Sequence, residues 1–363
     1  MKKIIALIAL LWGVFVAQIA WAELPAVTEN FTSEAAKNFA VDRLEDGYSL
    51  ITVQNGGRFL LIPTGMDAPD NLDADIAPLY MPLDNLLVAS TSTAALMDEI
   101  GALSAVAQTT YDAEDWYLPD VKQAVQDGRI AYVGSYKQPD FERIALNPPK
   151  LAVFSTMIDG TPDVREKLDE LGIPVLVDSS ALEDTPLGRM EWMKLYGVLL
   201  EHEAEANAAF EAQKQKIETL EPMQENVTVA MFYITSKGAL YVRNNGDYMV
   251  KMLELAGGQY APEGLGGDES GTRQMEMEAF YLAAGHADCI LYIGQLGGRP
   301  ETLAQLLERN ALLADFKAVQ NGRVYCTGAD YFQQAGRLGD LIEDMNRMLS
   351  GDDAALTHIM KLE

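Results

Sequence analysis

The sequence has few of the residues that build metal centres and disulfide frameworks. Its 363 residues include two cysteines, Cys289 and Cys326, and three histidines, His202, His286 and His358. Because the histidines are far apart, there is no material for a His-rich zinc site, and we expect neither a metal nor a resident cofactor. Each cysteine falls in an apolar segment typical of a strand. The two would pair in an oxidising compartment if these strands were neighbours, or stay buried thiols.

Basic residues are also scarce. There are 27 Lys and Arg against 54 Asp and Glu, which gives a formal net charge of −27, or −29 without Lys2 and Lys3. So acidic a chain argues against nucleic acid and anionic lipid as partners. The charge favours solubility, and it would suit a cationic ligand or a basic docking surface equally well.

Long apolar runs are absent except at the start of the chain. Lys2 and Lys3 precede an apolar run over residues 4–20, and Ala-Trp-Ala at 20–22 is a small-x-small cleavage site. This pattern predicts a secretory signal peptide over residues 1–22, with a retained membrane anchor as the alternative. No cysteine follows the run. We therefore expect an exported periplasmic protein, cleaved after Ala22, without a lipid anchor or membrane insertion.

The usual enzyme motifs are missing as well. The chain has no G-x-S-x-G, H-E-x-x-H, Walker A or C-x-x-C pattern. Its glycine-rich stretches GLGGDESG and YIGQLGG lack the spacing of a dinucleotide-binding loop. These absences indicate a protein that is not an enzyme.

What the chain does contain is an alternation of strand and helix patterns. A preface over residues 23–85 includes GYSLITVQNGGRFLLIP, which predicts a β-hairpin around Asn55-Gly56, and an acidic loop at 67–75. The loop is typical of a solvated segment, with calcium binding as the alternative. Alternating elements then predict two Rossmann-like α/β lobes with mainly parallel sheets. The lobes span residues 86–184 and 222–352, and a tail covers 353–363.

A single long helix is predicted between the lobes, over residues 185–221. Thr185 and Pro186 form a helix start, and no further proline follows until Pro222. Such a helix would be roughly 50 Å long, which suits a connection between two lobes. Arg189 lies in its first turn, where a cation opposes the helix dipole, and Trp192 follows one turn later. We interpret this first turn as a contact to a ligand.

The ends of the predicted strands supply further candidates for ligand binding. Ligands of open α/β sheets bind beyond the carboxyl ends of the strands, and the side chains there are aromatic, amide, sulfur and guanidinium groups. For the two residues at 116–117, the alternative is that they pack the loop onto the lobe. Tyr233 would alternatively belong to the core, and Arg243 would alternatively face solvent. The complete set of predicted ligand-binding residues is Trp116, Tyr117, Tyr136, Met157, Arg189, Trp192, Tyr233, Arg243, Arg273, Gln295 and Tyr331.

Several stretches resemble the iron/cobalamin family of periplasmic binding proteins. They include PDFERIALNPPKLAVF, VREKLDELGIPVLV, TPLGRMEWMKLYGVLLEHEAEANAAFEAQ and MEAFYLAAGHADCILYIG, and the resemblance covers about residues 86–350. It implies a class III binding-protein fold and a monomer that delivers a ligand to an ABC permease dimer with its ATPase. It also implies that Glu142 and Glu278 dock on that permease, although helix starts favour such acids anyway. The region before residue 86 is outside this resemblance.

The function expected from the sequence is delivery of an iron chelate, either a siderophore or haem, to an ABC importer. Arg189, Arg243 and Arg273 would suit an anionic chelate, and Trp116, Tyr136 and Trp192 would stack on a flat ring. Cobalamin or another corrinoid is the alternative ligand. A periplasmic metal-dependent enzyme or chelatase is the alternative from another class of protein, and an adhesin or sensor subunit is a third.

Overall fold

Three large β-sheets organise the described part of the chain. The computed structural model describes residues 24–70 and 72–363, and the signal peptide predicted at 1–22 lies outside the described residues. A five-stranded N-terminal sheet is followed by a second five-stranded sheet and a seven-stranded one, and helices pack around the last two. This arrangement confirms the predicted α/β fold with two lobes.

The residues before position 86 form a sheet of their own. Its strands are β1 (Val27–Asn30), β2 (Phe39–Leu44), β3 (Ser49–Val53), β4 (Gly57–Ile62) and β5 (Ile76–Tyr80). They lie side by side in chain order, and every neighbouring pair is antiparallel except β4 and β5. The two segments of the predicted hairpin are thus the third and fourth strands of a larger sheet.

This N-terminal sheet joins the first lobe through the turn between β3 and β4. The Val177 N–H donates to the carbonyl of Gly56 at 3.1 Å, so the turn pairs with the edge of the lobe's sheet. A Cβ on Gly56 would stand 2.5 Å from the Val177 carbonyl oxygen, and only glycine permits this approach. Ile51 and Phe59, on one face of the N-terminal sheet, share an apolar core with the first lobe.

The first lobe is a parallel sheet covered by helices. Its elements are β6 (Leu86–Ala89), α1 (Thr91–Glu99), β7 (Val106–Thr109), α2 (Pro119–Gln126), β8 (Ala131–Tyr132), β9 (Gly134–Ser135), β10 (Gln138–Pro139), α3 (Phe141–Leu146), β11 (Leu151–Ser155), α4 (Pro162–Glu170) and β12 (Val175–Asp178). The sheet has the order β12–β11–β6–β7–β8, and all four neighbouring pairs are parallel. The runs LLVA and LAVF are buried on both faces, as expected between two layers of helices.

Two helices stand where the sequence predicts one long helix over 185–221. Helix α5 (Pro186–Leu200) ends at Glu201, whose backbone is left-handed with φ 61°, and α6 (Glu203–Glu218) begins two residues later. A Cβ on Gly197 would lie 2.7 Å from the Cβ of Ala206, so the two helices are in close contact. The prediction of a single rigid helix is therefore wrong, because the chain turns sharply and packs α6 against the end of α5.

The second lobe holds the seven-stranded sheet. Its elements are β13 (Thr228–Ile234), β14 (Leu240–Arg243), α7 (Tyr248–Leu255), β15 (Gln259–Ala261), β16 (Thr272–Met275), α8 (Met277–Ala284), β17 (Cys289–Tyr292), α9 (Gly294–Gly297), α10 (Leu303–Leu307), α11 (Lys317–Gln320), β18 (Val324–Thr327), α12 (Leu338–Ser350) and β19 (Ile359–Lys361). The order is β16–β14–β13–β17–β18–β19, and β15 also pairs with β13. Strands β13, β15, β17 and β18 are parallel, whereas β14 and β19 are antiparallel to their neighbours in this core.

The last residues are part of this lobe and not a free tail. Strand β19 pairs with β18 at the edge of the sheet. Asp344 of α12 is buried and accepts hydrogen bonds from the N–H groups of Thr357 at 2.9 Å and Ile359 at 3.2 Å. The predicted tail at 353–363 therefore needs correction, because a buried carboxylate and a strand partner hold it in place.

The two cysteines are free, buried thiols in this sheet. Cys289 lies in β17 and Cys326 in the neighbouring β18, but Cys326 stands opposite Tyr292. The thiols also belong to different apolar clusters, on opposite sides of the sheet. Burial raises the pKa of Cys289 to about 11 and that of Cys326 to about 12. Of the two alternatives left by the sequence, the structure contains the buried thiols.

Candidate functional site

A cavity of about 300 Å³ lies between the two lobes. The first lobe contributes residues 91–92, which begin α1 just beyond β6, and residues 180–181 in the turn that follows β12. Arg189 of α5 lies beside them, and the second lobe contributes Tyr248 and residues 331–332. The cavity therefore stands at the carboxyl ends of the strands, where open α/β sheets bind their ligands.

A buried carboxylate fixes the wall formed by the first lobe. Asp178, the last residue of β12, accepts hydrogen bonds from the Thr93 hydroxyl at 2.6 Å and the Tyr196 hydroxyl at 2.5 Å. Its other oxygen accepts the Ser180 N–H at 2.8 Å. Burial, followed by the Asp178 charge, raises the pKa of Tyr196, so this phenol stays protonated and donates. The network holds the turns after β6 and β12 in fixed positions.

Arg189 is the cationic group of the cavity. Its guanidinium lies over the ring of Tyr248, 3.8 Å from the centroid, so it bridges the two lobes by a cation–π contact. Its Nε donates to the Glu183 carbonyl at 3.3 Å and its Nη2 donates to the Ala181 carbonyl. Burial lowers the pKa of Arg189, and Tyr248 and Asp247 oppose that change. The unfavourable interaction of the Arg189 charge with the dipole of α5 is thus offset by contacts with an aromatic ring and two carbonyl groups.

Two further donors belong to the second lobe: Tyr331, which lines the cavity, and Arg243, which is buried outside its lining but influences the pKa of Arg189. Arg243 ends β14 with 6% exposure, and its closest acid, Asp247, is 3.5 Å from Nη1. Its Nε and Nη2, and the hydroxyl of buried Tyr331, have no hydrogen-bond partner among the described residues. Burial raises the pKa of both Tyr248 and Tyr331, and the nearby Arg243 partly opposes this rise. The unpaired hydroxyl of Tyr331, in the wall of the cavity, is suited to a ligand that supplies a hydrogen-bond acceptor.

Both predicted tryptophans lie in the core, so the predictions for them are wrong. Trp192 has no exposed surface, donates to Glu183 Oε1 at 3.0 Å and packs edge-on against Phe39. It is buried because the N-terminal segment covers that side of α5. Trp116 is also buried and packs edge-on against Tyr111, whose carbonyl accepts its indole N–H at 3.4 Å. Neither ring is free to stack on a ligand.

Three predicted aromatic or sulfur side chains of the first lobe are accessible. Tyr117 follows β7 and Met157 follows β11, and each is 53% exposed. Tyr136, in the turn between β9 and β10, is half-buried. None of them lines the described cavity. They occupy the same carboxyl edge of the sheet, so their contact with a ligand stays a prediction.

The remaining predicted residues of the second lobe have partners inside the protein. The rings of Tyr233 and Tyr241 stack at 5.2 Å between β13 and β14. Arg273 Nε donates to Asn244 Oδ1 at 2.7 Å, and Gln295 Oε1 accepts the hydroxyl proton of Thr327 at 2.7 Å. The structure does not bring Tyr233, Arg273 or Gln295 into the cavity, in contrast to Arg189 and Tyr331.

A short segment of the second lobe crosses to the first lobe, and we call residues 331–337 the strap. Gln333 accepts the Tyr117 N–H at 2.8 Å and donates to the Asp115 carbonyl at 2.7 Å. Arg337 pairs with Glu99 of α1 at 2.5 Å. The strap therefore links the two lobes, and its first residue, Tyr331, lines the cavity.

Tyr248 is the important residue that the sequence reasoning missed. It is the first residue of α7 and follows the capping Asp247, whose carboxylate accepts the Met249 N–H at 3.0 Å. An available signal was its place directly after the turn NNGD, at the end of a predicted strand. The strap was also missed, because Gln333 shows its role only through partners more than 200 residues away.

Acidic groups do not assemble into a metal site in the parts of the chain that the structure describes. Over residues 24–70 and 72–363, no cluster of three or more His, Cys, Asp or Glu side chains is placed to hold a metal. Asp75 of the acidic loop pairs with Arg58 at 2.9 Å, and Asp73 lies 3.9 Å from the same guanidinium. No described helix is long and apolar enough to cross a membrane.

Two lobes with a ligand cavity between their strand ends define a bilobal solute-binding protein. The family model described as periplasmic binding protein matches residues 87–331, and the chain belongs to this family. Two uncharacterized lipoproteins of Methanocaldococcus jannaschii are related to it. One is 30% identical over 79% of this chain and 70% of its own length, and the other is 25% identical over 88% and 83%.

Solved structures confirm the fold. A periplasmic haem-binding protein of Pseudomonas aeruginosa superposes with a TM-score of 0.59 at 18% identity, over 77% of this chain and 98% of that one. An Fe³⁺-hydroxamate transport protein of Saccharomonospora viridis gives 0.58 at 19% identity, over 74% and 93%. At such low identity the likeness establishes the class III fold alone.

The relatives also correct the predicted localisation. The sequence predicts an exported protein without a lipid anchor, because no cysteine follows the apolar run. Both relatives from Methanocaldococcus jannaschii are lipoproteins, and this finding overturns the prediction of an unanchored protein.

Proposed function

We propose that this protein is the substrate-binding component of an ABC importer and carries an anionic metal chelate or tetrapyrrole between its lobes. The observation that supports this most is the placement of Arg189 and Tyr331 in the cavity wall, with the buried Arg243 close enough for its charge to influence the pKa of both. Two guanidinium groups and a phenol match the carboxylates of an anionic siderophore or the propionates of haem. The protein binds and delivers this ligand and does not transform it.

The charges explain why an anion is preferred in so acidic a protein. Arg243 has Asp247 as its only close acid among the described residues, at 3.5 Å, and Arg189 contacts carbonyl oxygens and an aromatic face. The positive charges of Arg189 and Arg243 are thus only partly compensated by neighbouring acids. A ligand carboxylate that reached Arg243 would satisfy its free N–H groups, which are otherwise costly to bury, through charge-assisted hydrogen bonds.

The size of the cavity indicates that binding moves the lobes. About 300 Å³ is at the lower end of the range of small-molecule sites, and a siderophore or haem needs more room. The accessible Tyr117 and Met157 border the same side of the first lobe and would contact the part of the ligand outside the cavity. Binding of so large a ligand therefore requires the lobes to separate at the strap.

A ligand screen by thermal unfolding tests the proposal. Wild-type protein is mixed with a ferric hydroxamate, a ferric catecholate, haemin or cyanocobalamin, each at about 100 times the expected Kd. One anionic chelate or haemin is expected to raise the stability by about 2.7 kcal/mol. A shift with cyanocobalamin alone would instead favour the corrinoid alternative, and no shift with any probe would contradict the proposal.

Variants of the two arginines show whether the anion contacts are real. Arg189→Gln and Arg243→Gln keep polar side chains but remove the charge, so each is expected to weaken binding by about 10- to 100-fold. Arg58→Gln is the matched control, because Arg58 pairs with Asp75 on the N-terminal sheet, away from the cavity. Equal affinity of all variants for the chelate, measured by fluorescence quenching, would eliminate the anionic-ligand idea.

A further inference from the structure

Two helices, one in each lobe, repeat the same short pattern. Helix α3 reads FERIAL and helix α8 begins MEAFYL. In each helix the second residue is an exposed glutamate, Glu142 or Glu278, and the fourth, Ile144 or Phe280, is fully buried. The sixth residue of each is an exposed leucine. The two helices therefore present an acid and a leucine in the same register.

The leucines are unusual for their exposure. Leu146 is 86% exposed and Leu282 is 82% exposed, which are the highest values for large apolar side chains in the part of the chain that the structure describes. One exposed leucine is ordinary on a soluble protein. Here two occur at equivalent positions, each one helical turn after a glutamate, so they share a face with it.

The fold directs both patterns to the same edge of the molecule. Helix α3 follows β8 and the small β9–β10 pair, at the carboxyl end of a parallel strand. Helix α8 follows β16, which is antiparallel to β14 and therefore runs in the direction of β13. Both helices thus begin at the carboxyl edges of their sheets, where the cleft between the lobes opens.

The acids of the two patterns are available for a partner. Neither Glu142 nor Glu278 forms a salt bridge or a side-chain hydrogen bond with a described residue, although the chain makes many such pairs elsewhere. In both α3 and α8 a negative charge lies next to an exposed apolar side chain. A partner surface that complements them would have a cation next to an apolar depression, and it would have this pair twice.

Docking of Glu142 and Glu278 on a permease is already implied by the family resemblance. We infer that Leu146 and Leu282 are additional apolar anchors, which enter one apolar-lined pocket beside each basic contact of a two-fold membrane partner. The inference rests on the proposed function, because the permease dimer of an importer is a partner with two equivalent halves. The glutamates steer the approach and set the register, whereas burial of the leucines supplies most of the affinity. The two lobes contribute in parallel, so each leucine is expected to matter equally.

Binding to the importer in a membrane tests the inference. Permease–ATPase complexes of this importer class, encoded in the same genome, are purified and reconstituted one at a time in nanodiscs. Each is titrated with this protein, and the Kd is measured by interferometry. Leu146→Ser and Leu282→Ser should each weaken binding about tenfold, and the double variant about a hundredfold. Leu255→Ser is the matched control, because Leu255 is an exposed leucine of α7 outside both patterns, and it should bind like wild type.

The outcomes separate the inference from the proposed function. Loss of binding in Glu142→Gln/Glu278→Gln but not in the leucine variants would overturn the role of the leucines and keep the proposed function. Failure of the wild-type protein to bind any of these importers would contradict the proposed function itself. Light scattering measures the oligomeric state of the wild-type protein and of the leucine variants. If the wild type is a dimer and the leucine variants are monomers, a second copy of the chain occupies this surface and the inference is overturned.

Discussion

At the scale of single residues, two buried glutamates decide how the start of the chain packs. Glu191 has no exposed surface and accepts the N–H groups of Glu34, Ala35 and Ala36, each at 2.8 Å. Glu183 accepts the N–H of Asn38 at 2.9 Å and the indole proton of Trp192. The segment at 34–38 has no regular structure of its own, so these carboxylates take the place of strand partners.

Removal of one of these carboxylates should therefore be severe. Glu191→Ala leaves three backbone N–H groups without their acceptor and deprives the nearly buried Lys194 of an ion-pair partner at 3.3 Å. We expect a loss of about 3–5 kcal/mol in the free energy of unfolding, measured by urea titration. Glu211→Ala, on the exposed face of α6, should change it by less than about 0.5 kcal/mol. Equal values for the two variants would contradict this account of Glu191.

The residue scale also shows where sequence reasoning succeeds. Arg189 was identifiable because its position opposes the helix dipole, and such a conflict needs a local compensation, which Tyr248 provides. Trp192 shares that helical face in the sequence, but its burial depends on Phe39 and Glu183 from other segments. A helix pattern gives the side that a residue faces. It does not give the element that covers that side.

At the scale of elements, the strap is the part of the fold whose role is easiest to isolate. Gln333→Ala removes both hydrogen bonds to the first lobe, to the Tyr117 N–H and the Asp115 carbonyl. The amide of Tyr117 should then exchange with deuterium at least several-fold faster, while the free energy of unfolding changes by about 1 kcal/mol or less. Gln334→Ala is the matched control, since Gln334 bonds to Asp330 within the second lobe. Identical exchange at Tyr117 in both variants would show that the strap does not hold the lobes together.

The connection between the lobes shows why element boundaries were harder to predict than element types. Residues 185–217 contain no proline after Pro186, so the helix pattern continues through Glu201 and His202 without a stop signal. The break requires Glu201 to adopt a left-handed backbone and Ala206 to pack against Gly197. That contact is tertiary, and helix propensity alone contains no information about it.

At the scale of the whole molecule, the two lobes follow from the alternation of strands and helices, because parallel strands must be covered on both faces. The five-stranded N-terminal sheet does not follow in the same way. Only its central hairpin has a local turn signal, and β1, β2 and β5 are defined by their pairing. The location of the cavity at the strand ends was predictable. The residues that line it were not, because they come from five separate segments of the chain.

The bound ligand itself is the most direct test of the central claim that an anionic metal chelate or tetrapyrrole occupies the interlobe cavity. Protein purified without denaturation from its own organism is measured by visible absorption and by native mass spectrometry. We predict one coloured, metal-containing or tetrapyrrole ligand per chain, retained by Arg58→Gln and lost from the Arg189→Gln/Arg243→Gln double variant. A colourless protein that carries one metal-free solute per chain, equally in all variants, would contradict the claim.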